Sequence, residues 1–261
     1  MADKDSPAAN DSGQTGSMPL LYKDPKPLNA DNFGKSGLKT GTDFRFTANI
    51  NTVPCMISEF QHAQKTFPIF FVGDPPMPVV AMGFAAGENL FVSPEGLWAE
   101  DAYVPNYIRR YPFILAEVPN DERLYLCADA KADMIVEKGA DLPFFNEDKQ
   151  TDVVTRALDF CRAFQEDFVN TRALCTEIRN LNLLRPAEVL YVNQAGQQQS
   201  GGQVVSIDFE KFNALPDSTF LDFRKRGILP LIYFQVTSQQ NWSRLHFRRE
   251  RRLGAAIRKP S

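Results

Sequence analysis

The sequence predicts an α+β fold: an antiparallel β-rich N-terminal part, a long amphipathic helix and a helical C-terminal part. Short apolar runs separated by Pro- and Gly-containing turns fill residues 18–148, which is typical of strands joined by tight connections. By contrast, residues 151–184 contain neither Pro nor Gly and repeat apolar residues at steps of three and four, which is typical of a helix. With 261 residues and 43% hydrophobic residues, the chain is long enough to bury a substantial core.

We predict four segments along the chain. Residues 1–17 are rich in Ser, Asn, Asp and Gly and are expected to be a disordered tail. Residues 18–148 form the β-rich part, and residues 149–253 form the helix, a hairpin and terminal helices of the same domain. Residues 254–261 are expected to be a flexible basic tail.

The N-terminal stretch has no basic region followed by an apolar run, as an export signal has. The longest apolar runs are far shorter than the roughly 20 residues that span a bilayer, so we expect no transmembrane segment. These features favour a cytoplasmic location, while a cell-surface location reached without an N-terminal signal stays open.

The β-rich part is predicted from alternation, prolines and turn residues. The predicted elements are an extended arm ending at residues 22–29, a half-buried strand at Phe44–Ile50, a short helix at 56–67, a strand at Ile69–Val72, a hairpin of Val79–Phe84 with Asn89–Val92, and a strand at Arg123–Ala128.

The long helix of about 30 residues, roughly 45 Å, is predicted to bury one apolar stripe. The stripe consists of Val154, Ala157, Cys161, Phe164, Phe168, Thr171, Cys175 and Ile178. Leu158, Phe160 and Leu174 make this face wider than a coiled-coil interface, which uses two positions of each heptad. Packing of the helix against a sheet of the same chain is therefore favoured. A homodimer seam remains the alternative because the period is close to 3.5.

After the helix, residues 188–193 and 203–209 alternate and predict a hairpin. Short helices are predicted at 208–214 and 217–226. Residues 228–236 suit a strand or a helix, and we choose the helix because Pro230 fits a first turn.

The formal net charge of −3 hides an asymmetry. Residues 244–261 carry seven basic residues and one acid, whereas the rest of the chain has 22 basic and 31 acidic residues, a net charge of −9. An acidic body repels phosphate backbones, so no nucleic-acid partner is predicted. The basic end, Arg248, Arg249, Arg251 and Arg252, is interpreted as a solvated face at a helix terminus, with weak contact to an acidic surface or anionic lipid as the alternative.

The four cysteines, Cys55, Cys127, Cys161 and Cys175, lie apart among apolar residues and are interpreted as structural thiols. Their even number leaves disulfides open. There is no CxxC pair, and only His62 and His246 could assist, so we predict neither a metal site nor a cofactor.

Two adjacent arginines, Arg109 and Arg110, lie between Tyr107 and Tyr111. Guanidinium groups fit carboxylates and phosphates and also stack on aromatic rings, so this sequence predicts a site for an anion or a peptide carboxylate. The favoured interpretation is nevertheless a surface turn in which the arginines pair with neighbouring acids, namely Glu100, Asp101 and Glu117.

Trp98 and Asp74 complete the predicted partner-binding region. Trp98 either lines a groove beside the arginines or packs in the core, and the core reading is favoured. Asp74 lies in the Gly73–Pro76 turn at the start of the region.

Catalytic residues are not predicted. The two histidines are far apart, and no nucleophile has a recognisable base. Asp129 and Asp133 could form a carboxylate pair, but a solvated loop explains their spacing better. Gly201-Gly202 lacks the GK[ST] tail of a phosphate loop.

Four sequence blocks occur in an order that resembles the SapC family of bacterial proteins. They are YKDPKPLN (22–29), PPMPVVAMGFAAGENLFV (75–92), RRYPFILAE (109–117) and LPLIYFQVTSQQNWSRL (229–245). The resemblance implies a link to surface-array (S-layer) proteins and to outer-membrane receptor systems for nutrient uptake. It brings no established catalytic residues.

Two classes of function follow. The preferred hypothesis is a non-enzymatic binding or accessory protein that holds a peptide or protein partner. The alternative is an enzyme that acts on a peptide or small acidic substrate in the same setting. An enzyme should place Arg109, Arg110 or a perturbed carboxyl group in a deep pocket, whereas a binding protein should present a shallow groove or an open sheet edge.

Overall fold

The computed structural model describes residues 18–257 apart from residues 42, 119, 120, 148 and 194, and describes only the backbone at 117, 118, 121, 122 and 255–257. It confirms the α+β class. The tail predicted for residues 1–17, and residues 258–261 of the basic tail, lie outside the described part.

The described chain forms the following elements. The strands are β1 (Pro25–Pro27), β2 (Gly37–Leu38), β3 (Thr52–Pro54), β4 (Ile69–Val72), β5 (Met77–Ala81), β6 (Phe113–Val118), β7 (Asp121–Asp129), β8 (Ile135–Val136), β9 (Leu142–Pro143), β10 (Phe145–Asn146), β11 (Lys149–Gln150), β12 (Leu184–Val192) and β13 (Gln198–Ile207). The α-helices are α1 (Ala30–Phe33), α2 (Phe60–Ala63), α3 (Asn106–Arg109), α4 (Asp152–Asn180), α5 (Phe209–Asn213), α6 (Asp217–Lys225), α7 (Ile228–Ser238) and α8 (Asn241–Ile257). Short 3-10 helices cover Arg45–Thr47 and Ile57–Glu59.

The largest sheet is antiparallel, with the strand order β12-β13-β4-β5-β3. Every residue of β5 is buried, and its two edges are occupied by β3 and β4. The predicted hairpin of Val79–Phe84 with Asn89–Val92 is therefore wrong, because β5 has no edge left for residues 89–92. These residues instead form single contacts, such as the Leu90 N–H donating to the Met82 carbonyl (2.9 Å).

Strands β13 and β4 are joined at only one register pair, Val205 with Phe71. Helix α7 packs over this narrow joint, and the buried Gln235 side chain bonds to both strands. Its Nε2 donates to the Ile69 carbonyl (2.8 Å), while its Oε1 accepts from the Ile207 N–H (3.3 Å). The predicted helix at 228–236 is thus confirmed. Its Gln235 side chain provides hydrogen-bond partners for backbone groups of β4 and β13 that do not pair with each other.

A second antiparallel sheet has the order β1-β7-β6, and β1 belongs to the extended N-terminal arm that the prolines predicted. Further small sheets are β8-β2-β9 and β10-β11. The strand predicted at Phe44–Ile50 is wrong, because this segment makes a 3-10 turn. The Thr47 hydroxyl donates to the Phe44 carbonyl (2.8 Å) and the Asp43 carboxylate accepts from the Arg45 N–H (2.9 Å), so local side-chain bonds favour the turn.

Helix α4 confirms the long helix and its stripe, since all eight predicted positions are buried. Along its length it enters three hydrophobic clusters. Ala157 and Cys161 pack with Phe113 and Phe144, the middle of the helix packs against β5, and Ile178 packs with residues of α5 to α7. The helix therefore joins both predicted parts of the chain into one core.

The C-terminal helix α8 runs to Ile257, so the boundary predicted at residue 253 falls inside it. The hairpin of β12 and β13 and the helices α5 and α6 are confirmed, and Gly227 has the positive φ (71°) that separates α6 from α7. Among the residues that the structure describes, no helix combines the length and the apolar character needed to cross a membrane.

Candidate functional site

The arginine pair lies at the end of helix α3. Pro105 precedes the helix, and the first helical N–H, from Asn106, donates to Glu59 Oε1 (2.6 Å). This bond connects α3 to the 3-10 turn at Ile57–Glu59, which is 47 residues earlier in the chain. The position of the arginines is therefore set by a buried tertiary contact.

Glu59 is 1% exposed, and burial raises its pKa from 4.5 to about 7. Its oxygens also accept hydrogen bonds from the Met56 N–H (3.1 Å) and the Tyr103 hydroxyl (3.0 Å). These bonds favour the ionised carboxylate, but their effect on the pKa is smaller than that of desolvation. The pKa of Tyr103 is raised above its usual value by burial and by this carboxyl group. These bonds hold Met56, Tyr103 and the start of α3 together. We therefore assign Glu59 a structural role.

Arg109 and Arg110 differ sharply in environment, although they are adjacent. Arg110 is 4% exposed, and its guanidinium lies 4.4 Å from the centre of the Tyr107 ring and 4.3 Å from that of Phe164. Arg109 is exposed; it donates to Asn106 Oδ1 (3.1 Å) and lies 5.5 Å from the centre of the Phe160 ring. Arg110 is thus held in place by aromatic packing, whereas Arg109 reaches solvent.

The two tyrosines that flank the pair in sequence point into the core. Tyr107 is 1% exposed and donates its hydroxyl to the Leu20 carbonyl (2.8 Å). Tyr111 stacks on Phe46 at 4.6 Å, and its hydroxyl donates to Asp129 (3.1 Å). Tyr107 therefore supports Arg110 from the core side, whereas Tyr111 packs with other core residues.

Asp129 anchors the N-terminal arm. It is fully buried and accepts from the backbone N–H groups of Lys23 (3.0 Å) and Asp24 (2.8 Å). Asp133, its candidate partner in a carboxylate pair, is exposed. The structure thus gives Asp129 an anchoring role in place of an acid–base role.

Trp98 and Asp74 lie apart from the arginine pair. The Trp98 indole donates to the Ala102 carbonyl (3.3 Å) and packs against Phe91 and Phe44, as the core reading expected. Asp74 is exposed and pairs with Arg179. Arg179 is 19 residues beyond Phe160 on α4, which corresponds to roughly 28 Å along the helix axis.

A cavity of about 280 Å³ opens beside the arginine pair, between α3 and the first half of α4. Arg109 and Arg110 line it together with Arg156, which was not predicted to be a site residue. The rest of the lining is apolar: Phe113, Leu142, Val153, Ala157, Phe160 and Cys161. Among these described lining residues, none is acidic.

Arg156 could have been found from helical spacing alone. It lies one turn before Phe160 and next to Ala157 of the buried stripe, so it borders the face that packs on the fold. Its Nε donates to the Asp152 carbonyl (3.3 Å). Three guanidinium groups beside an apolar wall suit a ligand with a carboxylate and an apolar group.

The environment of the cysteines does not favour the reactive thiolate form. Cys55, Cys127 and Cys175 are free and buried, and burial raises the pKa of Cys127 to about 11 and of Cys175 to about 12. The pKa of Cys55 is also raised well above its usual value by burial. Within the described part of the chain, no three metal-ligating side chains lie close enough together to hold an ion.

Comparison with known proteins identifies one family. The model of the SapC family matches residues 28–245, which is most of the chain and includes α3, α4 and the arginine cavity. No curated protein and no solved structure shows significant similarity to this chain.

Proposed function

Because the chain belongs to the SapC family, we propose that it is a non-enzymatic binding or accessory protein that holds a peptide or protein partner. The proposed setting is a bacterial surface-layer or outer-membrane-receptor-associated system, and it rests on the family resemblance. The proposed location is the cytoplasm, which cell fractionation with an antibody to this chain would test.

The arginine cavity is the observation that supports binding. Its three guanidinium groups provide positive charge with no lining acid, and its apolar wall provides a surface for a hydrophobic group. A volume of about 280 Å³ suits one large side chain with its terminal carboxylate rather than a folded domain. We therefore infer that the bound group is a peptide carboxylate next to an apolar side chain.

Arg110 gives this site its rigidity. Because the Tyr107 and Phe164 rings enclose its guanidinium, little side-chain entropy remains to be lost when an anion binds. The exposed Arg109 and Arg156 can adjust to the ligand. Both can be replaced with little loss of packing, so they are the residues to change in a test.

The test compares peptides that differ only in the charge of the C-terminus. We expect short peptides with a C-terminal aromatic residue to bind as free acids and to bind at least about tenfold more weakly as amides, because the amide lacks the charge-assisted bonds. Fluorescence anisotropy with labelled peptides measures this. The double variant Arg109→Ala/Arg156→Ala should lose the preference for the acid.

Arg172→Ala is the matched control, since Arg172 is an exposed arginine on the same helix that does not line the cavity. It should bind like wild type. Equal binding of acids and amides, or equal loss in the control, would remove the proposed site. Cleavage of the peptides, detected by mass spectrometry, would favour the enzymatic alternative.

A further inference from the structure

A second cavity of about 440 Å³ lies between α8 and the residues that follow α2. Lys65 and Thr66 line it just after α2, and Asp101 lines it from the loop before α3. The remaining lining residues, from α8, are Arg244, Phe247, Arg248 and Arg251. The three arginines lie at steps of four and three residues, so they share one face of the helix.

The lining carries four basic side chains and one acidic side chain. Asp101 is held by Arg248, whose Nη2 lies 2.6 Å from each carboxylate oxygen, and this guanidinium lowers the pKa of Asp101. Arg244 donates to the Lys65 carbonyl (3.1 Å) and to Asn241 Oδ1 (3.2 Å). The cavity therefore keeps an excess of three positive charges.

Two of the four cations make no direct polar contact within the described part of the chain, although Arg251 lies close enough to Asp101 to help lower the pKa of that carboxyl group. Among the described residues, no side chain or carbonyl forms a hydrogen bond or ion pair with the Lys65 ammonium or the Arg251 guanidinium. The neighbouring basic residues of α8 behave differently, since Arg249 pairs with Glu88 (2.9 Å) and Arg252 donates to the Val92 carbonyl (3.1 Å). The positive charges of Lys65 and Arg251 are therefore not neutralised by direct ion pairs among the described residues at this cavity.

We propose that this cavity binds a phosphate group of a small phosphorylated molecule or a lipid headgroup. Four converging cations provide more charge than one carboxylate needs, and they match a group with two negative charges and several acceptor oxygens. The walls are mainly polar, unlike those of the arginine cavity, so the ligand is a compact polyanion. Asp101 occupies Arg248 in the absence of that ligand and competes with it.

The competition predicts a gain of affinity. With inorganic pyrophosphate as the probe at constant ionic strength, Asp101→Asn should bind about fivefold or more tightly than wild type, because Arg248 is released and a repelling charge is lost. Isothermal titration calorimetry measures the change. The matched control is Glu100→Gln, which removes the adjacent exposed acid and should leave the affinity nearly unchanged.

The unpartnered cations predict a loss. Lys65→Gln/Arg251→Gln should weaken pyrophosphate binding by at least about tenfold, since each change removes one local charge but no hydrogen bond or ion pair within the described residues. Arg224→Gln/Lys225→Gln removes the same charge from exposed positions on α6 and should have little effect. Thermal unfolding checks that the variants stay folded.

A sedimentation assay with phosphatidic acid vesicles, compared with phosphatidylcholine vesicles, separates the two sources of phosphate. Binding to phosphatidic acid that follows the same pattern across the variants assigns the site to a lipid headgroup, and pyrophosphate binding alone assigns it to a soluble molecule. Absence of binding to both probes, or equal effects of the cavity and control variants, would overturn the proposal.

Discussion

Charged residues in this protein take their roles from burial more than from neighbours in sequence. Arg109 and Arg110 are adjacent, yet one is exposed and the other lies between two aromatic rings. A helix advances about 100° per residue, so consecutive side chains face different surroundings. Arg110 is suited to its place because a planar guanidinium is weakly hydrated and stacks on rings.

Glu59 gives a prediction about pH at this scale. Its pKa is about 7 in the folded protein and about 4.5 when unfolded, so between these values the folded state binds more protons. Stability due to this group therefore falls as the pH rises from about 4.5 through 7, by about 3 kcal/mol in total. Glu59→Gln cannot ionise and should show a flatter dependence.

Urea unfolding at pH 5 and pH 7.5 measures this difference. The gap in unfolding free energy between wild type and Glu59→Gln should change with pH, and the gap between wild type and Glu166→Gln, an exposed acid on α4, should not. If the unfolding free energies of wild type and Glu59→Gln changed in parallel with pH, the Glu59 carboxyl group would have the same pKa in the folded and unfolded states, which would contradict the prediction.

At the scale of elements, helix α7 completes the main sheet. Strands β13 and β4 share one register pair, so their remaining backbone groups need other partners. Besides Gln235, the buried Ser238 hydroxyl accepts from the Ile69 N–H (3.0 Å). The helix thus stabilises a joint that strand pairing alone leaves weak.

Gln235→Met tests this role. The substitution keeps the length of the side chain but removes the acceptor of the Ile207 N–H and one of the two donors to the Ile69 carbonyl, which Gln239 Nε2 still reaches (2.6 Å). We therefore expect a loss of about 1–3 kcal/mol in unfolding free energy, mainly from the unsatisfied Ile207 N–H. Chemical denaturation measures the loss. The control Gln240→Met changes an exposed glutamine after the helix and should stay within about 0.5 kcal/mol of wild type. An equal effect of both variants would contradict the role.

At the scale of the whole molecule, helix α4 connects three of the hydrophobic clusters, and each of the four clusters contains one cysteine. Cys55 lies in the cluster around β5, and Cys175 lies in the cluster formed with α5 to α7. Cys161 lies in the cluster that contains Phe113 of β6, and Cys127 lies in the cluster that contains Tyr22 of the N-terminal arm. The four thiols therefore report separately on the parts of one core.

This arrangement predicts that the protein unfolds as a unit. Under reducing conditions, pulse labelling with a thiol reagent at increasing urea should expose all four cysteines at one midpoint. Helix α4 enters the clusters of Cys55, Cys161 and Cys175, and the cluster of Cys127 is built on the same strands, β6 and β7, as that of Cys161. Mass spectrometry of the labelled peptides gives each midpoint. Earlier labelling of Cys55 and Cys127 than of Cys161 and Cys175 would show that the two predicted parts unfold independently.

Local signals in the sequence determined much of the fold. The stripe on α4, the apolar strand β4 and the hairpin of β12 and β13 were predicted, because periodicity and turn residues act over short distances. Predictions failed where tertiary contacts decide. Residues 89–92 are strand-like, but β5 had no free edge for them, and that depends on β3 and β4.

Local sequence patterns suffice to predict the α+β class, the buried face of the long helix and the presence of an unusual arginine pair. Three further features depend on long-range packing: Arg156 lines a cavity with that pair, Tyr107 and Tyr111 face the core, and Arg248 pairs with Asp101. The reason is physical: helix and turn preferences involve neighbours within a few residues, whereas Arg248 and Asp101 are 147 residues apart and meet only when the core packs.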